Sequence, residues 1–203
     1  SNVAVGYNAL AANTTSSSST AVGYNAGALT TAAGFTAIGA STLDVHTTGN
    51  YVTGVGAGAL GTSTTGASNT GVGEAALRSL TTGDGNTACG AACLDGAVTG
   101  DYNNAMGHLT ARSVTSGSNN TLLGYQTGYS TTAITTGSYN VLVGNLNHTD
   151  SASSTYAMGL GYNLTCTSGY TTVGNGASDI RAAHGTATWA AVSDERVKKD
   201  ITD

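Results

Sequence analysis

Along most of the chain, apolar residues return at a fixed interval around a glycine. The first block is Asn2-Val3-Ala4-Val5-Gly6-Tyr7-Asn8-Ala9-Leu10, and it comes back as Thr20-Ala21-Val22-Gly23-Tyr24-Asn25-Ala26. The central glycine recurs at Gly39, Gly56, Gly73, Gly90, Gly107, Gly124, Gly144, Gly161 and Gly174. Starting from Gly6 the intervals are 17, 16, 17, 17, 17, 17, 17, 20, 17 and 13 residues. The period is therefore 17, with one early deletion, a three-residue insertion before Gly144 and a shortened last repeat.

The residue before the glycine is apolar in every repeat: Val5, Val22, Ile38, Val55, Val72, Cys89, Met106, Leu123, Val143, Leu160 and Val173. The residue two before it is small in most repeats (Ala4, Ala21, Ala37, Gly54, Gly71, Ala88, Ala105). Alternation of this kind predicts a short strand in each block. The apolar column is expected to form a buried ladder, with the small column on the opposite face where room is scarce. Leu10, Leu43, Leu60, Leu77 and Leu94, four past the glycine, predict a second apolar column. Between blocks lie segments such as Thr48-Gly49-Asn50, Thr82-Gly83-Asp84-Gly85-Asn86, Thr99-Gly100-Asp101 and Thr136-Gly137-Ser138, whose Gly, Asn and Asp suit positive-φ turn positions. Helix is disfavoured by the glycine and β-branched content and by the lack of a sustained 3.6-residue stripe.

A short unit with one or two strands cannot bury its own apolar face, but it can when stacked on copies of itself. The expected fold is all-β, a repetitive β-solenoid or β-roll of about 17-residue coils packed as a homotrimer. The expected organisation is a shaft over residues 1–178 and, over 179–203, a linker with the truncated start of a further domain.

Composition narrows the function. Charged residues make up 8% of the chain, against about 25% in average globular proteins. There are 30 Gly and no Pro among 203 residues, and the formal net charge is −5. Residues 1–178 hold two arginines, Arg78 and Arg112, and no lysine, which argues against nucleic-acid binding because phosphate neutralisation needs clustered cations. No run of about 18 apolar residues is present, so no membrane insertion is expected. The opening Ser1-Asn2-Val3 has no basic leader and is already mid-pattern, as in a piece of a longer protein.

Cys89, Cys93 and Cys166 read as buried small hydrophobes rather than a disulfide or zinc set. His46, His108, His148 and His184 are dispersed, and neither a metal nor a cofactor is implied. Among Asp44, Glu74, Asp84, Asp95, Asp101 and Asp150 no converging pair of the glycosidase kind can be named. Tyr7, Tyr24, Tyr125 and Tyr162 follow the central glycine, as a stacked ladder or as a platform for sugar rings. The Asn-x-Ser/Thr sequons at Asn13, Asn119, Asn147 and Asn163 are chance occurrences in such a composition.

The blocks resemble the head repeats of trimeric autotransporter adhesins, with their Asn-x-Ala-Val-Gly-x-x-Ala motif, and the repeats of phage tail-fibre shafts. Near residue 178 the composition changes, and nine of the seventeen charged residues fall in the last 25 positions. There the chain reads Trp189-Ala190-Ala191-Val192-Ser193-Asp194-Glu195-Arg196-Val197-Lys198-Lys199-Asp200-Ile201. Ser193, Asp194, Arg196, Val197, Lys198 and Ile201 match the signature that opens the self-cleaving intramolecular chaperone domain of phage tail fibres and tailspikes. That resemblance implies Ser193 as nucleophile, Lys198 as its base and a cut between Ser193 and Asp194, conditional on the full C-terminal domain. A serine needs such a base, and a lysine serves only with a lowered pKa, for which Arg196 and Lys199 are candidates.

The expectation is a structural and adhesive fibre segment of a virion, extracellular and not an enzyme in its own right. Its expected partners are further copies of itself, other virion tail proteins and a host cell-surface receptor, with glycans among the candidates. Rival expectations are a bacterial trimeric surface adhesin, a capsule depolymerase and, more weakly, an ice-binding protein.

Overall fold

The computed structural model describes residues 1–96, 98–129, 132–185, 190 and 191. All regular structure there is β. Strands β1 (Val3–Val5), β2 (Thr20–Val22), β3 (Thr36–Ile38), β4 (Thr53–Val55) and β5 (Thr70–Val72) each occupy one repeat. So do β6 (Thr87–Cys89), β7 (Asn104–Met106), β8 (Thr121–Leu123) and β9 (Val141–Asn145). The short β10 (His148–Thr149) precedes β11 (Met158–Tyr162), and β12 (Thr165–Cys166) precedes β13 (Tyr170–Asn175). The chain then adds β14 (Ser178–Ala183) and β15 (Ala190–Ala191).

Eleven strands, β1 to β9 with β11 and β13, stack in parallel as one sheet, with like residues of successive repeats in register. Ten turns of a β-solenoid separate the first from the last. At about 4.8 Å per strand the stack is about 50 Å long. The end is different: β14 pairs antiparallel with β13, and β15 antiparallel with β14, so the chain reverses instead of coiling on. β10 and β12 form a separate two-stranded parallel sheet.

The apolar column before the glycine does stand in single file, Val22 on Ile38, Val55 and Val72. Its direction is opposite to the expectation. Val5, Ile38, Val72, Met106 and Leu160 are exposed, whereas Ala21, Ala37, Ala88 and Ala105 are buried in the core. The reason is space. A coil of this length encloses a narrow interior, and that interior is already filled from other positions. Leu43, Leu60, Leu77 and Leu94 enter it from beyond the glycine, as expected, and are fully buried. They take left-handed φ values of 50° to 52° to do so. That conformation costs a non-glycine residue roughly 1–2 kcal/mol, and burying a leucine recovers about 1.5–3 kcal/mol. In those coils the strand's inward position is small (Ala37, Gly54, Gly71, Ala88); where Gly128 stands in place of the leucine, Leu122 fills the core from the strand instead.

Just before each strand the core receives a ladder of asparagines, four before the glycine: Asn69, Asn86, Asn103, Asn120 and Asn140, each fully buried. Each Oδ1 accepts from the backbone N–H of the next rung, as in Asn86 N to Asn69 Oδ1 (2.7 Å) and Asn120 N to Asn103 Oδ1 (3.1 Å). Each Nδ2 donates to a carbonyl at the neighbouring turn, as in Asn103 to Gly117 O (2.8 Å). The ladder crosses the three-residue insertion unbroken, since Asn140 N still donates to Asn120 Oδ1 at 3.0 Å. The insertion falls between Gly128 and Ile134, outside this stack.

The central glycines hold φ near +130°, and a Cβ at Gly73 would lie 2.6 Å from the Gly90 carbonyl oxygen, so the coils close there only over hydrogen. Of the turn glycines, Gly85 meets the expectation with φ of 65°, and others differ from it. Gly49, Gly83, Gly100 and Gly137 do not hold positive φ; the turn's left-handed position is filled by residues such as Tyr51, Gly85, Tyr102 and Tyr139. Their glycine identity comes from stacking, because a Cβ at Gly83 would lie 2.3 Å from Gly100 O.

Candidate functional site

The feature that stands out is a surface. Strand alternation sends the residues one and three before each glycine outward together. They form two adjacent columns, one apolar throughout and one mostly threonine (Thr20, Thr36, Thr53, Thr70, Thr87), and neither column contains a charged residue. Corner columns border this face on both sides. On one side stand Tyr7, Tyr24, His108, Tyr125 and Tyr162, just after the glycine. On the other stand Tyr51, Tyr102, Tyr139 and Tyr156, five before it. Of the seventeen large apolar side chains left exposed among the described residues, sixteen lie on this face or its two corners; Leu29 is the exception.

The tyrosines pair where adjacent coils both carry a ring. Tyr7 stacks on Tyr24 at 5.5 Å, and Tyr139 on Tyr156 at 5.1 Å with 8° between planes. Tyr125 stacks on His108 at 5.7 Å. The second tyrosine corner went unrecognised in the sequence, although a count of five back from each glycine finds it.

Several charged residues of the shaft hold neighbouring coils together, while Glu74, in the corner column just after the glycine, is exposed. Arg78, Asp95 and Arg112 occupy the same position on three successive coils. Asp95 pairs with Arg78 at 3.0 Å and with Arg112 at 3.7 Å, and the Arg112 guanidinium lies over the Tyr129 ring at 5.3 Å. Asp84 and Asp101 accept backbone N–H groups of the preceding coil, from Ala67 at 2.7 Å and Asp84 at 2.8 Å. These carboxylates clamp turns.

His46 is fully buried; its Nε2 donates to the Gly49 carbonyl at 2.6 Å, and Nδ1 accepts from the Ser63 hydroxyl at 3.0 Å. Burial pushes its pKa down, against a smaller opposing effect of the Gly49 carbonyl. His148 is buried as well, with Nε2 at 3.0 Å from the Thr165 hydroxyl. Among the described residues no group of three His, Cys, Asp or Glu side chains could hold a metal ion. All three cysteines are free; Cys93 and Cys166 are buried, and burial pushes both thiols up to about 12. Cys89 closes β6 while Cys93 lies in the following turn, so the two do not share a strand.

Ser193, Asp194 and Lys198, the residues of the conditional self-cleavage, lie outside the described residues, as do Arg196, Val197 and Ile201. No helix of the described residues is long and apolar enough to cross a membrane. No protein-family model matches the chain, and comparison with curated proteins and with solved structures finds no match either.

Proposed function

We propose that the chain is a structural and adhesive shaft segment of a bacteriophage tail fibre, assembled as a homotrimer through its tyrosine-bordered sheet face. The observation that carries this reading is the gathering of sixteen of seventeen exposed large apolar side chains on one side of the solenoid. A patch of this extent on a soluble chain marks an interaction surface. Roughly 50 Å by 20 Å, it offers about 1,000 Å² per chain, against about 800 Å² per partner in a standard stable interface.

A second copy is the fitting occupant because the face is uniform. Its Thr and Val columns repeat without charge along the whole stack, which suits a partner with the same repeat and the same rise. Three such faces around an axis would cover one another while the Arg78–Asp95–Arg112 corner stays in solvent. A stiff trimer then acts by reach and avidity, since three copies raise the effective concentration of weak receptor contacts. Ser193 and Lys198 fit the same reading, as the cut that would release a C-terminal chaperone after assembly. The adhesin-like Asn-x-Ala-Val-Gly blocks keep a bacterial surface adhesin as the rival; the segment that follows Asp203 separates the two.

The test is light scattering after size exclusion on the chain with its native C-terminal continuation, followed by intact mass. A trimer cut after Ser193 is expected. Val55→Lys and Val72→Lys should give folded monomers. A full-length monomer with an unchanged wild-type face would refute the proposal.

A further inference from the structure

We infer that the cleft where the solenoid ends binds one hexopyranose unit of a neutral glycan. The ligand class rests on the adhesive reading above; the site rests on geometry. The cleft has a volume of about 350 Å³ and is lined by Tyr162, Asn163, Asn175, Gly176 and Ala177. It exists because the last repeat departs from the others. Gly176 still stacks on the coil below, its N–H donating to the Tyr162 carbonyl at 2.9 Å, as the matching residue does in each earlier coil. Beyond it the chain turns back into β14 instead of continuing around the coil. The arc that runs on past this corner in the preceding coils is replaced by a hairpin.

The lining has the chemistry of a sugar site. Tyr162, a residue 54% exposed, supplies an aromatic ring for the C–H face of a pyranose. Asn163 and Asn175 flank it with carboxamides, each offering two donors and an acceptor, the combination that vicinal hydroxyls need. Asn163 is held at the corner with φ of 52°. Gly176 forms the floor, and a Cβ there would meet Asn163 O at 2.7 Å and Nδ2 at 3.1 Å, so any larger residue would crowd Asn163. The volume lies at the small end of ligand pockets, which suits one sugar ring rather than a long segment.

Charge selects within the sugars. The lining carries no ionisable side chain other than the tyrosine. With no cation in it, the lining gives the carboxylate of a sialic or uronic acid nothing to pair with. A neutral hexose needs no such partner.

The experiment is saturation-transfer NMR on the full chain, with methyl glucoside, galactoside and mannoside as neutral probes and glucuronic and N-acetylneuraminic acids as charged ones. At least one neutral hexoside should give ring-proton signals, with titration showing weak, millimolar binding. Asn175→Ala should weaken it at least tenfold without moving Tm, and Tyr162→Leu should do the same at equal oligomeric state, checked by light scattering because Tyr162 also borders the proposed assembly face. Tyr7→Leu, in the same column at the far end, should leave it unchanged. Absence of neutral-sugar binding, preference for the acids, or indifference to both cleft variants would overturn the inference. A monomer that binds the hexoside would remove the assembly proposal and leave the cleft; a trimer that binds none would do the reverse.

Discussion

The asparagine ladder makes a quantitative prediction, because Asn103 sits in its middle with all its partners defined. Its Nδ2 donates to Gly117 O at 2.8 Å and Asn86 Oδ1 at 3.0 Å, and its Oδ1 accepts from Asn120 N at 3.1 Å and Asn120 Nδ2 at 2.9 Å. Asn103→Leu preserves most of the volume and removes all four bonds. Asn86 Oδ1 keeps the Asn103 backbone N–H, and Asn120 Nδ2 keeps Gly137 O. The Asn120 N–H and the Gly117 carbonyl lose these partners inside the core. At about 1–3 kcal/mol for each buried polar group left unmade, the cost is about 2–6 kcal/mol. Asn103→Ala should cost at least as much, with a cavity added. The assay is urea denaturation at one fixed protein concentration, because assembly would shift apparent stability. Amide hydrogen exchange at Asn120 supplies the local readout: coils of a solenoid contact only their neighbours, so the loss should concentrate there. If Asn103→Leu proves neutral, or leaves the Asn120 amide as protected as before, the column is a space filler and the hydrogen-bond argument is wrong.

Other outcomes follow from the same geometry. Gly73→Ala should break the stack locally, since its Cβ would stand 2.6 Å from Gly90 O at a φ of +130°; selective loss of exchange protection on either side of that coil is the readout. Burial lowers the His46 pKa, so the unfolded chain takes up the proton first as pH falls. Stability from this group is therefore fully present above about pH 6.5, is lost on acidification through the lowered folded value, and then levels off. Asp44 and Asp179, whose carboxyls burial pushes up, act in the opposite sense. Denaturation midpoints from pH 8 downward should show a loss that His46→Leu abolishes, and an unchanged slope in that variant would contradict the assignment. With Cys93 and Cys166 buried and pushed up to about 12, only Cys89 should react with a thiol reagent in the folded, unassembled chain, against three cysteines after unfolding, and assembly through its face should slow that reaction.

The chain's periodicity alone determined that repeats stack, where the central glycines fall and that Leu43, Leu60, Leu77 and Leu94 lie inside, because any residue recurring at one place in a coil must meet its own copies. The asparagine ladder and the second tyrosine corner were equally present in the spacing, four and five residues before each glycine, but turn-like composition hid them. Alternation placed Ala37 and Ile38 on opposite sides of a strand and could not choose which side faced inward. Only the closed coil decided that. Its cross-section is set by how the corners bend, and the inward strand position is shared out with the position past the glycine: small where Leu43, Leu60, Leu77 and Leu94 enter, leucine at Leu122 where Gly128 leaves room. The valines go outward, and the apolar surface expected inside the chain is an exposed face instead. The terminal cleft, too, belongs to tertiary structure: it exists because β14 turns back on β13, a reversal that no count of residues announces.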